Sequence, residues 1–263
     1  MAPPNPTILI IHGGWHTPAH FDALSKELRQ EGYEVVAPHL PSCNNEADPG
    51  DAISKDADVV AASIDSITKS GKDLVMVMHS YGGTAGSDGL GVYLQNAPTG
   101  SKGKVLQLVF LSALLLNKGE TPASQQIVDP GEDAGPAPQI SPEGLILVAP
   151  AGDKAVAEIT RSRLYNETPA EIAEEAMDGL TGFALSAYIS ETKYQGWSEV
   201  GVPATYVLCG KDQAWPPAQQ KRCIERLGKA GVKVDVVEKA GWDHSAYLSH
   251  AREVAEIVVK AAQ

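Results

Sequence analysis

The fold is decided by the stretch Leu74-Val75-Met76-Val77-Met78-His79-Ser80-Tyr81-Gly82-Gly83, an apolar strand that runs directly into a serine followed by small residues. A strand, a one-residue turn and a helix hold the hydroxyl of such a serine clear of its own backbone, as in the G-x-S-x-G nucleophile elbow. Gly82 provides a small neighbour, whereas Met78 stands where the pattern has its first glycine. The stretch therefore predicts an elbow at Ser80, and a buried strand with a non-catalytic Ser-Gly turn is the alternative.

Two later segments supply the other residue types that a serine nucleophile needs. Asp212 follows an apolar strand, and His244 lies just before the final predicted helix. The chain order serine, acid, histidine is that of the catalytic triad on an α/β-hydrolase sheet. Asp243 and Asp235 are rival acids, but Asp243 adjoins the histidine and is poorly placed to reach it, while Asp235 falls within a predicted strand. Ser80, Asp212 and His244 are therefore the predicted catalytic residues.

Length and charge limit the classes of protein and partner. The chain has 263 residues, enough for one α/β domain with insertions. Its formal net charge of −12, without a basic stripe, argues against nucleic acid or an anionic membrane as a partner. Residues 1–6 lack the layout of a signal peptide, and the three scattered cysteines do not suggest a disulfide framework. We expect a cytoplasmic protein.

Strands and helices alternate through residues 1–112 and again through residues 201–263. Continuous apolar runs such as residues 8–11 and 105–111 are typical of strands buried on both faces of a parallel sheet. Amphipathic helices are predicted between these strands. The pattern predicts an α/β fold with a mostly parallel sheet of about six strands and helices on both faces.

Residues 113–200 interrupt this alternation. Residues 117–143 are rich in Pro, Gly, Asp and Ser and indicate a loop. Helices are predicted over residues 152–163 and 169–180, the second with Thr168 as its cap, and a shorter one over residues 183–191. We interpret 113–200 as a helical lid inserted into a core formed by 1–112 and 201–263. A helical elaboration that does not contact substrate is the alternative.

Six motifs, spread over nearly the whole chain, identify a family. Together they make the chain resemble the small lidded α/β-hydrolases, which include plant methylesterases, hydroxynitrile lyases and their microbial esterase relatives. The motifs are His12-Gly13-Gly14-Trp15-His16, His79-Ser80-Tyr81-Gly82-Gly83, Val109-Phe110-Leu111-Ser112-Ala113, Leu164-Tyr165-Asn166-Glu167-Thr168-Pro169, Cys209-Gly210-Lys211-Asp212 and Asp243-His244-Ser245. The elbow and the triad order are shared by the whole superfamily, whereas the first and fourth of these motifs are more specific.

The resemblance implies a role for each residue of the site. Ser80 attacks a carbonyl carbon, and His244 takes its proton, because an imidazole can act as a base near neutral pH. Asp212 holds the imidazole in the right tautomer and stabilises the imidazolium. By the same resemblance, the backbone N–H groups of Gly14 and Tyr81 form the oxyanion hole.

Aromatic side chains near these motifs are candidates for a substrate pocket. Trp15, Tyr165, Phe183 and Tyr188 are suited to line an acyl or alcohol pocket, and a place in the hydrophobic core is the equal alternative.

Three histidines near the start of the chain are evenly spaced. His12, His16 and His20 are four residues apart, which would align metal ligands on a helix. The preceding strand and the Gly-Gly pair argue against a helix there, and no carboxylate completes a site. No metal and no cofactor are expected, and His12 and His79 are predicted to be buried structural histidines beside the active site.

Two departures from the family's lyases favour hydrolysis. Those resembling the plant enzymes carry lysine after the catalytic histidine and threonine after the strand-end histidine, and here these positions are Ser245 and Gly13. The chain is therefore predicted to be a cofactor-free serine hydrolase that cleaves a small carboxylic ester or lactone through an acyl-enzyme. Two alternatives remain: a lyase or cyclase that uses the same Ser–His pair, and a ligand receptor with negligible turnover. The expected partner is a small-molecule ester, and a homodimer is left open.

Overall fold

The computed structural model describes residues 5–96, 102–125, 139–148 and 153–263. The strands are β1 (Thr7–Ile11), β2 (Val35–Val36), β3 (Cys43–Asn44), β4 (Leu74–His79), β5 (Val105–Leu111), β6 (Gln139–Ile140), β7 (Leu145–Leu147), β8 (Gly182–Ala184), β9 (Ala204–Cys209) and β10 (Val234–Lys239). The α-helices are α1 (Asp22–Gln30), α2 (Ala52–Lys69), α3 (Gly82–Asn96), α4 (Lys154–Leu164), α5 (Ala170–Asp178), α6 (Leu185–Ile189), α7 (Gly196–Glu199), α8 (Pro217–Lys229), α9 (Ala246–Ser249) and α10 (Ala251–Ala261).

The main sheet has six strands in the order β10-β9-β5-β4-β1-β2. Every neighbouring pair in it is parallel. This confirms the predicted mostly parallel sheet of about six strands. Because β1 and β4 are neighbours, the chain reverses its direction of winding around them, and ligands of open α/β sheets bind at the strand carboxyl ends near such a point.

Helices cover both faces of the sheet, which explains the unbroken apolar runs. Ile8 of β1 packs in one core cluster with Leu24 of α1 and Val254 of α10. Its neighbour Leu9 packs in the other cluster, with Val60 of α2. Successive side chains of a strand point to opposite faces, so a strand covered on both sides needs an apolar residue at every position. Within the described residues, no helix is long and apolar enough to cross a membrane.

A second, antiparallel sheet was not expected from the sequence. Its strand order is β3-β8-β7-β6, and β6, β7 and β8 fall within the predicted helical lid. The predicted helix over 183–191 is therefore wrong at its start, since β8 precedes α6 there. Strands of two or three residues are too short to show a period-2 pattern, which is why the sequence does not reveal them. Of the predicted loop over 117–143, residues 126–138 lie outside the described residues.

The start of α5 corrects another prediction. The N-cap of this helix is Pro169, not Thr168. The hydroxyl of Thr168 instead donates a hydrogen bond of 2.8 Å to Oδ2 of Asp243. A threonine next to a helix start resembles a capping residue in the sequence, but here a buried carboxylate from a distant loop takes the hydroxyl.

Candidate active site

Ser80 lies at a strained turn between β4 and α3. Its φ is 53°, in the left-handed region. A non-glycine residue held there costs about 1–3 kcal/mol, and such strain collects at functional sites. The carbonyl oxygen of Ser80 accepts hydrogen bonds from the backbone N–H groups of Gly83 and Leu114, each at 2.9 Å. The turn is therefore held from both the helix and the end of the neighbouring strand.

Two glycines in the first turns of α3 allow close packing around the elbow. A Cβ on Gly82 would lie 2.3 Å from the carbonyl oxygen of Ile11, so only glycine allows α3 to start this close to β1. A Cβ on Gly86 would lie 2.5 Å from Sδ of Met78. The space for the Met78 side chain thus comes from the missing side chain at Gly86, which compensates for the departure from G-x-S-x-G.

Asp212 and His244 form a buried pair. Oδ2 of Asp212 lies 2.8 Å from Nδ1 of His244, and both side chains are almost fully buried. The other carboxylate oxygen accepts hydrogen bonds from the backbone N–H groups of Ala214 and Trp215, each at 2.8 Å. With Asp212 accepting at Nδ1, the imidazole carries its proton there, and Nε2 is left available as a base.

The rival acids face elsewhere. Asp243 is buried, but its Oδ2 accepts from the backbone N–H of Glu167 and its Oδ1 from that of Ser245. Asp235 is exposed on β10, at the edge of the main sheet. Of the three carboxylates considered from the sequence, Asp212 is the one hydrogen-bonded to His244.

The loop after β1 is held by two histidines. Nδ1 of His12 donates to the carbonyl oxygen of Gly13 at 2.9 Å, and Nδ1 of His16 donates to that of Gly14 at 2.8 Å. Because a carbonyl only accepts, both Nδ1 atoms carry a proton, and Nε2 of His12 accepts from the backbone N–H of Leu40. Burial lowers the pKa of His12 to about 3 and holds that of His16 well below its usual value. Both imidazoles are therefore neutral.

This pinning orients the proposed oxyanion donor. In a trans peptide the N–H points away from the C=O. Fixing the Gly13 carbonyl on His12 therefore turns the N–H of Gly14 to the opposite side, and Gly14 lines the same cavity as Ser80. Of the three equally spaced histidines, His16 and His20 pack edge-on with 4.8 Å between ring centroids, and Nε2 of His20 contacts the carbonyl oxygen of Ala176.

The second proposed donor belongs to a residue whose side chain is anchored. The hydroxyl of Tyr81 donates to Oδ2 of Asp56 at 2.7 Å, and Oδ1 of Asp56 accepts from the backbone N–H of Ser42. Burial raises the pKa of Asp56 to about 6. The ring of Tyr81 also packs edge-on against Phe183, with 4.8 Å between ring centroids.

A cavity of about 60 Å³ brings these groups together. Ser80, His244, Gly14 and Tyr81 all line it. So do three of the four predicted pocket aromatics, which are Trp15, Phe183 and Tyr188. Further lining comes from Leu114, Pro122, Leu164, Ala214 and Trp215.

Tyr165 corrects the fourth pocket prediction. It is not among the residues that line this cavity. Its side chain is fully buried, and its hydroxyl lies 2.9 Å from Nε2 of His16. An aromatic residue type alone does not indicate which way the ring faces, and this one faces the loop behind the cavity.

A family model for the alpha/beta hydrolase family matches residues 8–257. The chain belongs to the alpha/beta hydrolase family. This membership confirms the predicted fold class and the prediction of an enzyme of this hydrolase class.

Similarity to known proteins extends over nearly the full length of this alpha/beta hydrolase. "Alpha/beta hydrolase nvfD" of Aspergillus novofumigatus (strain IBT 16806) is 27% identical over 265 residues, covering 98% of this chain and 96% of that protein. The crystal structure of a pyrethroid hydrolase from Sphingobium faniae JZ-2 has a TM-score of 0.72 at 23% identity, covering 98% of this chain and 97% of its own. The methylesterase MES16 from Arabidopsis has a TM-score of 0.70 at 17% identity, covering 97% and 98%. At these identities the two structures establish the fold, and the methylesterase is of the kind named by the sequence resemblance.

Two residues that hold Asp212 in this alpha/beta hydrolase are not predicted by its sequence. The hydroxyl of Ser112, itself at a φ of 46°, donates to Oδ2 of Asp212. Gln220 of α8 is fully buried, and its Nε2 donates to Oδ2 of Asp212 at 3.3 Å and to the carbonyl oxygen of Trp215 at 2.7 Å. Ser112 belongs to the motif of residues 109–113, and Gln220 is one of several polar residues on α8. Neither residue type by itself indicates a contact with Asp212.

Proposed function

We propose that this alpha/beta hydrolase cleaves a small carboxylic ester or lactone through an acyl-enzyme on Ser80. One observation carries the proposal. Ser80, at its strained strand-to-helix turn, lines the same small cavity as His244, whose imidazole is hydrogen-bonded to Asp212. Nucleophile, base and orienting acid are the three parts that covalent acyl transfer requires.

The proposed steps follow from the protonation states. Nε2 of His244 takes the proton of the Ser80 hydroxyl as its oxygen attacks the carbonyl carbon. The N–H groups of Gly14 and Tyr81 stabilise the oxyanion, and losing one such donor typically costs about 10²–10³ in rate. Collapse of the intermediate breaks the ester bond, and the imidazolium returns its proton to the departing alcohol. Water, deprotonated by His244, then hydrolyses the acyl-enzyme.

The size and lining of the cavity support a small substrate group. The cavity is small, with a volume of about 60 Å³. Aromatic rings from Trp15, Phe183 and Tyr188 make most of its wall apolar. A short apolar acyl or alcohol group fits such a space better than a charged or extended one.

The positions that distinguish the family's lyases support hydrolysis. Ser245 stands after the catalytic histidine, is fully buried, and its hydroxyl lies 3.3 Å from that of Tyr247, so no cation is present at this position. A Cβ on Gly13 would lie 2.9 Å from both Nδ1 of His79 and Cβ of Ser80. A threonine could not replace Gly13 without moving the nucleophile. Similar structures include a pyrethroid hydrolase and a methylesterase, which is consistent with ester cleavage.

We also propose that residues 113–200 act as a lid over Ser80. Leu114, Pro122, Leu164, Phe183 and Tyr188 belong to this insertion and line the cavity beside Ser80. Because these residues contact the cavity, they support a lid and argue against a helical elaboration that is remote from substrate.

Burst kinetics on a panel of small activated esters test the proposal. We expect wild type to show a burst followed by turnover, and Ser80→Ala to lose roughly 10⁴-fold or more of the rate while keeping its thermal unfolding temperature. Ser66→Ala, on the exposed surface of α2, is the matched control.

Two results would contradict it. A persistent stoichiometric adduct on Ser80 without turnover would instead indicate a ligand receptor. No reaction with any ester, together with cleavage of a cyanohydrin, would indicate a lyase.

A further inference from the structure

Four consecutive residues of the proposed lid, residues 165–168, reach the three loops that carry Gly14, Asp212 and His244, which follow β1, β9 and β10. The first is Tyr165, whose hydroxyl donates to Nε2 of His16 at 2.9 Å. Nδ1 of His16 in turn donates to the carbonyl oxygen of Gly14. The direction is fixed, because the carbonyl must accept and the neutral imidazole then has only a lone pair at Nε2. Tyr165 is thus linked through His16 to the loop of the oxyanion hole.

Asn166 reaches the loop of the catalytic acid. Its Nδ2 donates to the carbonyl oxygen of Lys211 at 3.0 Å, and Lys211 directly precedes Asp212. The ammonium of Lys211 also lies 3.0 Å from the carboxylate of Glu167. Both charged side chains are largely exposed, so this ion pair adds little to the amide contact.

Glu167 and Thr168 reach the loop of the catalytic base. The backbone N–H of Glu167 and the hydroxyl of Thr168 both donate to Oδ2 of Asp243, at 2.9 and 2.8 Å. Asp243 directly precedes His244 and is fully buried. Its other oxygen is bonded within its own loop, to the N–H of Ser245. The insertion therefore supplies the partners for the outward-facing oxygen of a buried carboxylate.

The sheet joins two of these loops directly, because β9 and β10 are paired and the backbone N–H of Lys211 donates to the carbonyl oxygen of Trp242 at 2.9 Å, but the loop after β1 lies apart from them. In the sheet β4 and β5 stand between β1 and β9. Loops are more mobile than the strands they leave, and a misplacement of 1 Å can cost about 10²-fold in rate. A contact that spans the three loops would restrict their relative movement.

We propose that residues 165–168 form a clasp that fixes the oxyanion, acid and base loops relative to one another, which makes Tyr165, Asn166 and Thr168 positioning residues for the hydrolysis. The inference rests on the proposed function of Ser80. The clasp contacts neighbours of the reacting groups, through His16, Lys211 and Asp243, and its effect is on the catalytic step more than on substrate affinity.

Two conservative variants test the clasp. Tyr165→Phe removes one hydroxyl that bonds His16, and Thr168→Val removes one hydroxyl that bonds Asp243. Matched controls are Tyr93→Phe, whose hydroxyl bonds Thr68, and Thr192→Val, whose buried hydroxyl bonds the carbonyl oxygen of Asn117. We expect each clasp variant to lower kcat by about 10²-fold with KM little changed, and each control to stay near wild type.

The pH dependence of kcat distinguishes the contact with Asp243 from the contact with His16. Thr168→Val should move the acidic limb of the kcat profile to lower pH, because a displaced His244 loses part of its stabilisation by Asp212. Tyr165→Phe should lower kcat without moving that limb, since it acts on the oxyanion loop. Thr168→Ser restores the donor and should recover most of the rate.

Three outcomes distinguish the failures. If wild type turns over esters and the clasp variants match their controls, the clasp is wrong and the proposed function stands. A rise in KM at unchanged kcat would also overturn the clasp, because it would mean substrate contact. If wild type has no esterase turnover, the proposed function is wrong, and the clasp, which rests on it, is wrong as well.

Discussion

Nε2 of His79 donates a hydrogen bond of 2.9 Å to the backbone carbonyl oxygen of His244, and the two imidazole rings lie 4.6 Å apart. The residue before the proposed nucleophile thus supports the loop of the proposed base. Burial holds the pKa of His79 well below its usual value, so that ring is neutral. A neutral neighbour does not repel the imidazolium that forms on His244 during the reaction.

Replacing His79 should therefore impair the base loop. His79→Leu removes the donor, and we expect kcat to fall by about 10²-fold, as for a misplaced catalytic group. His79→Gln keeps an amide donor and should retain more activity. Steady-state kinetics at constant pH check this, with circular dichroism as the control for folding. Equal losses in the two variants would mean that ring packing matters and the hydrogen bond does not.

The choice of acid predicts an asymmetry between two adjacent loops. Asp212→Asn presents the wrong partner to Nδ1 of His244 and should lower kcat by about 10⁴-fold. Asp243→Asn weakens hydrogen bonds of the base loop but leaves the bond between Asp212 and His244, and its loss should be about 10²-fold at most. Comparing kcat of the two variants on one activated ester is the measurement. A larger loss for Asp243→Asn would reverse the assignment.

Tyr188 should limit the size of the substrate. It lines the cavity and is partly buried. Tyr188→Ala should raise kcat/KM for an ester with a longer acyl or alcohol chain relative to its acetate or methyl analogue, by about 10-fold or more. Ile189→Ala, at an exposed neighbour in α6, serves as the control. An unchanged ratio of kcat/KM would remove Tyr188 from the pocket wall.

The free energy of unfolding should fall steeply in acid. Burial lowers the pKa of four histidines in the folded state, which are His12, His16, His20 and His79. Below about pH 6.5 the unfolded chain binds more protons at these residues than the folded chain does, so stability is lost as the pH falls. Asp56 and Asp88 act in the opposite sense, because burial raises the pKa of each to about 6 and the folded state holds their protons more tightly.

The net effect has a definite sign. Four histidines take up protons on unfolding and two aspartates release theirs, so acid lowers the free energy of unfolding. Urea unfolding at pH 7.5, 6 and 5 measures it. Asp56→Asn removes one offsetting proton and should make the loss steeper. A midpoint independent of pH would contradict this account.

The sequence predicted what local pattern controls. The apolar runs of β1, β4, β5 and β9, the elbow at Ser80 and the chain order of the site residues all depend on neighbours in sequence. What it missed depends on convergence of distant segments. Ser112 and Gln220 meet at Asp212 only in the folded chain, and the short pair β3–β8 joins segments far apart in sequence.

That pair has a consequence for engineering. β3 belongs to the proposed core segment, yet it pairs antiparallel with β8 of the proposed lid, with Cys43 opposite Phe183. A chimera that exchanged only residues 113–200 with those of a relative would give the incoming β8 a foreign strand to pair with, next to the pocket wall. A transfer of the proposed lid therefore needs two separate pieces of chain, residues 113–200 and Cys43–Asn44.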